Sequence, residues 1–176
     1  TALTSNTGLV RSLAFPRVLL PVSAVIRQFL NTLPQLGLLL ITLVLFQQGI
    51  TWNWLLLVPT VALMSVFNLG LAMIMARIAA QVQDINKLLP FVIRILFYTS
   101  GIFFSMDHLL RNHPEILAVL HFNPIYDYIE LARGLVVQGY QTSAFLWLTA
   151  IGWALVTFVV GVLFFWKAEE RYGRED

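Results

Sequence analysis

The 176-residue chain has 59% of its residues in the hydrophobic set and only 11% charged, against about 25% charged in a soluble domain, which excludes an ordinary water-soluble fold and makes the bilayer the better solvent. A formal net charge of +2 excludes nucleic acid as the implied partner. The absence of cysteine removes disulfides, thiolate metal sites and cysteine nucleophiles together.

The sequence opens at Thr1 with no signal-peptide pattern, so it reads as a piece of a longer polypeptide. Crossing a hydrocarbon core takes about 20 mostly apolar residues, and four windows meet that need. The first, residues 22–46, carries Arg27 near its start, where the side chain can snorkel, and Pro34, which is expected to kink it. The second, 54–76, is closed by Arg77 and has Trp52 and Trp54 at its other end, as an interfacial aromatic belt requires. The third, 88–104, is short and carries Arg94; the fourth, 144–166, is uncharged and ends at Lys167.

Between the third and fourth windows, 114–122 and 125–137 read as two helices separated by Asn123-Pro124. At 1.5 Å per residue they reach about 13 and 20 Å, too short for either to cross alone. They are expected to form a hairpin that dips in and returns to the same side. Four spans put both chain ends on one side, and both ends are basic: Arg11 and Arg17 before the first span, Lys167, Arg171 and Arg174 after the last. Arg77 and Lys87 fall on that side too. By the positive-inside rule the termini are cytoplasmic and the hairpin faces outward. No internal repeat or linker marks a second domain, so residues 1–176 read as one all-α, polytopic membrane domain of four transmembrane helices plus an outward re-entrant hairpin.

Catalytic signatures are missing. There is no G-x-x-x-x-G-K-S/T phosphate loop and hence no nucleotide site of that type in this chain. His108, His113 and His121, with Asp107 and Glu115 nearby, fit no standard zinc spacing, so no metal site and no catalytic residue is assigned. Scattered Ser and Thr read as helix-packing residues that bond back to carbonyls.

Ionisable residues at membrane depth should face protein or water. Arg94 is open to two readings, a snorkelling side chain or a functional one. Asp127, Glu130 and Arg133 follow the Asn123-Pro124 break, with the carboxylates near a helix N-terminus and Glu130 one turn before Arg133, a placement that suits the helix dipole and allows an ion pair. A structural pair is the simpler reading, direct substrate contact the other. Aromatics crowd the same end: Phe97, Tyr98, Phe103 and Phe104, then Phe122, Tyr126 and Tyr128. Interfacial anchoring accounts for such clusters, and a subset lining a passage would suit the apolar faces of sugar rings.

Three segments resemble the type-2 ABC exporter permeases that move O-antigen, teichoic acid and related cell-envelope glycans. "NTGLVRSLAFPRVLLP", with Asn6, Leu9, Arg11, Phe15, Pro16, Arg17 and Pro21, resembles the cytoplasmic segment before that family's third span; "LPFVIRILFYTSGIFFSMDHL" resembles its fifth span and outward exit. "FNPIYDYIELARGLVVQG", with Asn123, Pro124, Ile129, Glu130, Arg133 and Gly139, resembles its outward re-entrant helices. Ser12 and Gln83-Asp84 depart from the usual pattern, and the tail "WKAEERYGRED" resembles that of actinobacterial members handling cell-wall galactan.

The resemblance implies an N-terminal helix and two further spans upstream, six in all. It implies a permease of a bacterial cytoplasmic membrane, C-terminus inside, that pairs with a second copy and with two separate ATPase subunits carrying ATP and Mg, and that exports a lipid-linked polysaccharide. On that reading Asn6, Arg11, Phe15 and Arg17 belong to the ATPase-coupling segment. Asn123, Pro124, Asp127, Glu130 and Arg133 belong to the outward gate, and Phe97, Tyr98, Phe103, Phe104 and Tyr126 are candidates for the glycan or lipid pathway. The alternatives are a sibling exporter of a drug, lipid or small ion, a membrane-embedded enzyme acting on lipid-linked sugars, and a structural helical partner.

Overall fold

A computed structural model describes residues 18–46, 49, 51–82, 84–102, 120, 123–137, 139–140 and 142–172, with side chains as far as Lys167. Asn6, Arg11, Phe15, Arg17, Phe103, Phe104, the three histidines and, apart from Leu120, the first arm of the expected hairpin lie outside the described residues. Five α-helices and no strand occur among those described: α1 (Leu19–Leu45), α2 (Leu57–Gln81), α3 (Ile85–Thr99), α4 (Pro124–Val136) and α5 (Ala144–Tyr172). A 3-10 turn, Trp52–Leu56, leads into α2.

Three segments are long and apolar enough to cross a bilayer, Leu19–Leu45, Trp52–Gln81 and Ala144–Lys167. They are the first, second and fourth expected spans, and the chain is a polytopic helical membrane protein. Pro34 sits inside α1, which remains one continuous helix of 27 residues. The third expected span is α3, whose 15 residues rise only about 22 Å. It stops at Thr99 because Ser100 forms its C-cap and Gly101 turns to φ 67°, the left-handed conformation that ends helices and that glycine adopts without steric cost.

The core is the crossing of α2 and α5. A Cβ at Gly70 would meet the backbone of Thr157 and lie 2.5 Å from Phe158 N, and one at Gly161 would lie 2.5 Å from Gly70 O, so the two backbones touch where no side chain intervenes. Small residues permit this close approach in membranes, where packing rather than the hydrophobic effect holds helices together. Further along, the Arg77 guanidinium lies 3.9 Å from the centroid of the Phe164 ring and Nη1 donates to the Phe164 carbonyl. Gly70 meets Thr157 and Arg77 meets Phe164, so both chains advance in the same direction and α2 and α5 are parallel.

Parallel packing obliges the chain to come back across between Gln81 and Ala144. α3 leaves the Arg77 end of α2 and arrives beside Asn123, from which α4 runs on past Phe67 and Ala150 to Leu57. α3 begins that return, and among the described residues three helices, not four, are long and apolar enough to cross. Arg77 and Lys167 accordingly share one end of the molecule, while Trp52 and the start of α5 share the other.

Around the crossing, Phe67, Tyr128, Leu131, Leu146, Ala150 and Ala154 form one buried cluster, and Leu57, Leu135 and Val136 form a second against which Leu40 and Leu43 of α1 pack. Elsewhere α1 turns large apolar side chains outward, Ile26, Leu30, Leu38 and Ile41 among them, as a lipid-facing helix must. Hydroxyls within these helices bond to the preceding turn: Thr42 to Leu38 O at 2.8 Å, Thr60 to Leu56 O at 2.8 Å, Ser65 to Val61 O at 2.8 Å and Thr157 to Trp153 O at 2.6 Å. The expected back-bonding removes donors that lipid cannot satisfy.

A pair of glycine substitutions separates this crossing from helix propensity. Gly161→Ala drives a methyl into the backbone of α2 and is expected to cost about 1–3 kcal/mol, the range for overpacking. Gly152→Ala meets nothing within 4 Å and should be neutral or stabilising by up to about 1 kcal/mol. Thermal unfolding of the two variants in detergent, side by side, reads the difference.

Candidate functional site: the corner between α3 and α4

α4 begins where the sequence breaks. Asn123 takes an extended conformation and its Oδ1 accepts from Ile125 N at 3.1 Å, which caps the helix, and Pro124 at the first helical position lacks the amide hydrogen that would otherwise need a partner. Asp127 in the first turn and Arg133 in the last complement the helix dipole. The observed helix, Pro124–Val136, matches the expected second arm to within one residue at each end.

Two faces of α4 do different work. Tyr128, Leu131 and Leu135 face the apolar clusters; the Tyr128 hydroxyl donates to Ala150 O at 2.8 Å and its ring lies 5.7 Å from Phe67. This anchors α4 to both α2 and α5. The adjoining face carries Asp127, fully buried, and Glu130, 4% exposed. A carboxylate so removed from water is tolerable only when paired and hydrogen-bonded, and Arg133 Nη1 donates to Glu130 Oε1. The expected ion pair is present, and its burial favours the structural reading over an exposed contact surface.

The same arginine does more. Its Nη2 donates to Gly101 O at 2.8 Å, and Asn123 Nδ2 donates to Thr99 Oγ1 at 3.1 Å and to Leu96 O at 3.5 Å. The cap and the ion pair thus both reach across to the end of α3. Sequence reasoning placed Asn123, Pro124, Asp127, Glu130 and Arg133 together, and the structure does so. It did not find Thr99 and Gly101 as acceptors, nor Gly134, whose bare Cα admits Thr142: a Cβ there would lie 2.7 Å from Thr142 Cγ2. A glycine just beyond a helix-ending Thr-Ser was the available signal for Gly101.

The pathway aromatics divide. Phe97 and Tyr98 are exposed on α3 and meet edge-on, with centroids 5.9 Å apart at 77°. Tyr126 has no accessible surface. Arg94, midway along α3, is exposed, as is Arg27 on α1. Among the described residues no group of His, Cys, Asp and Glu is placed to hold a metal ion.

Long apolar helices around a close parallel crossing, with a charged half-helix docked at one end, define a multi-pass membrane domain. Residues 4–137 match the ABC-2 type transporter family, and the chain belongs to that family. Over 172 residues it is 24% identical to the O-antigen export system permease protein RfbA of Klebsiella pneumoniae, covering 96% of this chain and 64% of that protein. Over 175 residues it is 26% identical to the polysialic acid transport protein KpsM of Escherichia coli, covering 96% and 65%. The chain therefore spans a little under two thirds of the length of these curated relatives. No solved structure gives a significant match. Membership of a transporter family agrees with the expectation of a transport domain rather than an enzyme.

The buried pair makes a double-mutant cycle informative. Glu130→Ala strands the Arg133 guanidinium, and loss of one partner of a buried pair costs about 3–5 kcal/mol. Glu130→Ala with Arg133→Ala should cost less than the sum of the two singles, with a coupling of at least about 1 kcal/mol. Unfolding of the purified protein measures it, and additive losses would refute the pairing.

Proposed function

We propose that the full-length protein is the membrane-spanning subunit of an ABC exporter that carries a lipid-linked polysaccharide across the bacterial cytoplasmic membrane. The observation that carries this reading is the pair of matches spanning 96% of the chain, to an O-antigen export permease and a polysialic acid transport protein, within a family match over residues 4–137. Energy would come from ATP and Mg bound on two separate ATPase subunits, and a second copy of the permease would complete the passage. The flank of α3, which has no buried residue and exposes Leu88, Phe91 and Ile95, fits a helix that faces a passage or a second subunit. Phe97, Tyr98 and Arg94 offer ring faces and a cation on that helix, a combination suited to a sugar chain bearing acidic or phosphate groups.

Orientation follows from charge. The end shared by Arg77 and Lys167 is the basic one, and the positive-inside rule assigns it to the cytoplasm, with α4 outward and the C-terminus inside. Asn6, Arg11, Phe15 and Arg17 would then lie on the cytoplasmic side and receive the ATPase motion. Phe15 would serve as the apolar anchor, with the two arginines pairing with an acidic rim, since buried aromatics and Arg commonly dominate interface energy.

Two measurements test this. In intact cells a single cysteine at Ser143 should react with an impermeant maleimide, while one at Asp84 should react only after the membrane is opened; the reverse pattern would overturn the orientation. In the full-length permease, Phe15→Ala should weaken ATPase association about tenfold or more while leaving membrane insertion intact. Accumulation of lipid-linked polysaccharide on the cytoplasmic face in a deletion strain would identify the cargo class, and unchanged surface polysaccharide would reject it.

A further inference from the structure

The position of α3 is set differently from that of the other helices. None of its 15 residues is buried, and Leu88, Phe91, Ile93 and Ile95 are all more than half exposed. Hydrophobic packing therefore does little to fix its tilt. At one end it is joined to α2 through residues 82–84. At the other, the hydrogen bonds described between α3 with its exit and another element come from two side chains of α4, Asn123 and Arg133.

Both donors are themselves held in place. Asn123 is fixed by its own capping bond from Ile125 N, so its amide is left aimed at Thr99 and Leu96. Arg133 is fixed by Glu130 on a helix that is locked to α2 and α5 by Tyr128. The acceptors are equally constrained, because the Gly101 carbonyl is presented by a left-handed glycine that is itself buried. The bonds to Leu96 O and Gly101 O are part-buried, where competition is reduced.

We propose that Asn123 and Arg133 are positioning residues for α3: they form a two-point joint that fixes where the helix meets the α2–α4–α5 body, so its tilt depends on these hydrogen bonds. The consequence for transport rests on the export reading above, since the tilt of α3 decides which of its sides, including Arg94 and Tyr98, meets a passage.

The test separates donor loss from unfolding. Asn123→Asp keeps the helix cap, for which Asp is as good as Asn, and removes only the amide that reaches Thr99 and Leu96. Glu130→Leu with Arg133→Met removes the donor to Gly101 without leaving a buried charge behind. Each is placed in the full-length protein in nanodiscs with spin labels on cysteines at Ile93 and Leu155, reporting α3 against α5, or at Val58 and Leu148, reporting α2 against α5. The expected result is a distance distribution at least twice as broad for the α3 pair, with the α2–α5 pair unchanged. An unchanged α3 distribution in both backgrounds would overturn the proposal. Equal broadening of both pairs would overturn it as well, since the residues would then merely support the body. Export is read separately: wild-type protein that moves no polysaccharide would sink the functional reading and leave these distances standing.

Discussion

At Gly70 and Gly161 the backbones of α2 and α5 touch, and the direction in which they pass each other dictates much of the remaining architecture. Two parallel neighbours in one membrane need a third element to bring the chain back, so α3 is required to run the opposite way although it is short. α4 then runs from the point where α3 arrives, past Phe67 and Ala150, to Leu57 at the end where α5 begins. A crossing built from side chains rather than from two glycines would hold the helices farther apart and weaken the lever that aligns Arg77 with Phe164.

Polar groups in this setting are handled by three devices. Hydroxyls return to the carbonyl one turn back. Arg77 sets its charge over the Phe164 ring and donates to the Phe164 carbonyl at the basic end, while its Nε is buried without a hydrogen-bond partner among the described residues. In α4 the cap residue satisfies the backbone of the first turn, Glu130 pairs with Arg133, and the remaining donors of Asn123 and Arg133 reach outside the helix. Pairing with Arg133 lets Glu130 sit against apolar neighbours, which accounts for its burial.

Much of this was legible in the residues. Uncharged windows of about 20 residues located three spans, and Asn-Pro followed by an acidic first turn and a basic last turn delimited α4, because capping and dipole chemistry act within one turn and leave a local trace. The early end of α3 was less legible: Arg94 is the one charge in residues 88–104, and periodicity cannot show that Gly101 adopts a positive φ. Tyr126 illustrates another limit. It is a residue of interfacial type beside Tyr128, yet it has no accessible surface, and burial of that kind is set by the fold and not by residue type. Partners such as Thr99 for Asn123 belong to the same class, since contacts between elements carry no signature in either segment alone.

The parallel crossing also bears on how the protein is made. Arg77 and Phe164, which meet in the finished fold, are 87 positions apart, and at ribosomal rates of about 5–20 residues per second α5 emerges roughly 4–17 s after the segment of α2 it must cover. For that interval the glycine face of α2 and the Arg77 guanidinium have no helix against them. They must be shielded meanwhile by lipid headgroups or by the insertion machinery, and biogenesis is therefore most vulnerable while the ribosome is translating the segment between Gln81 and Ala144.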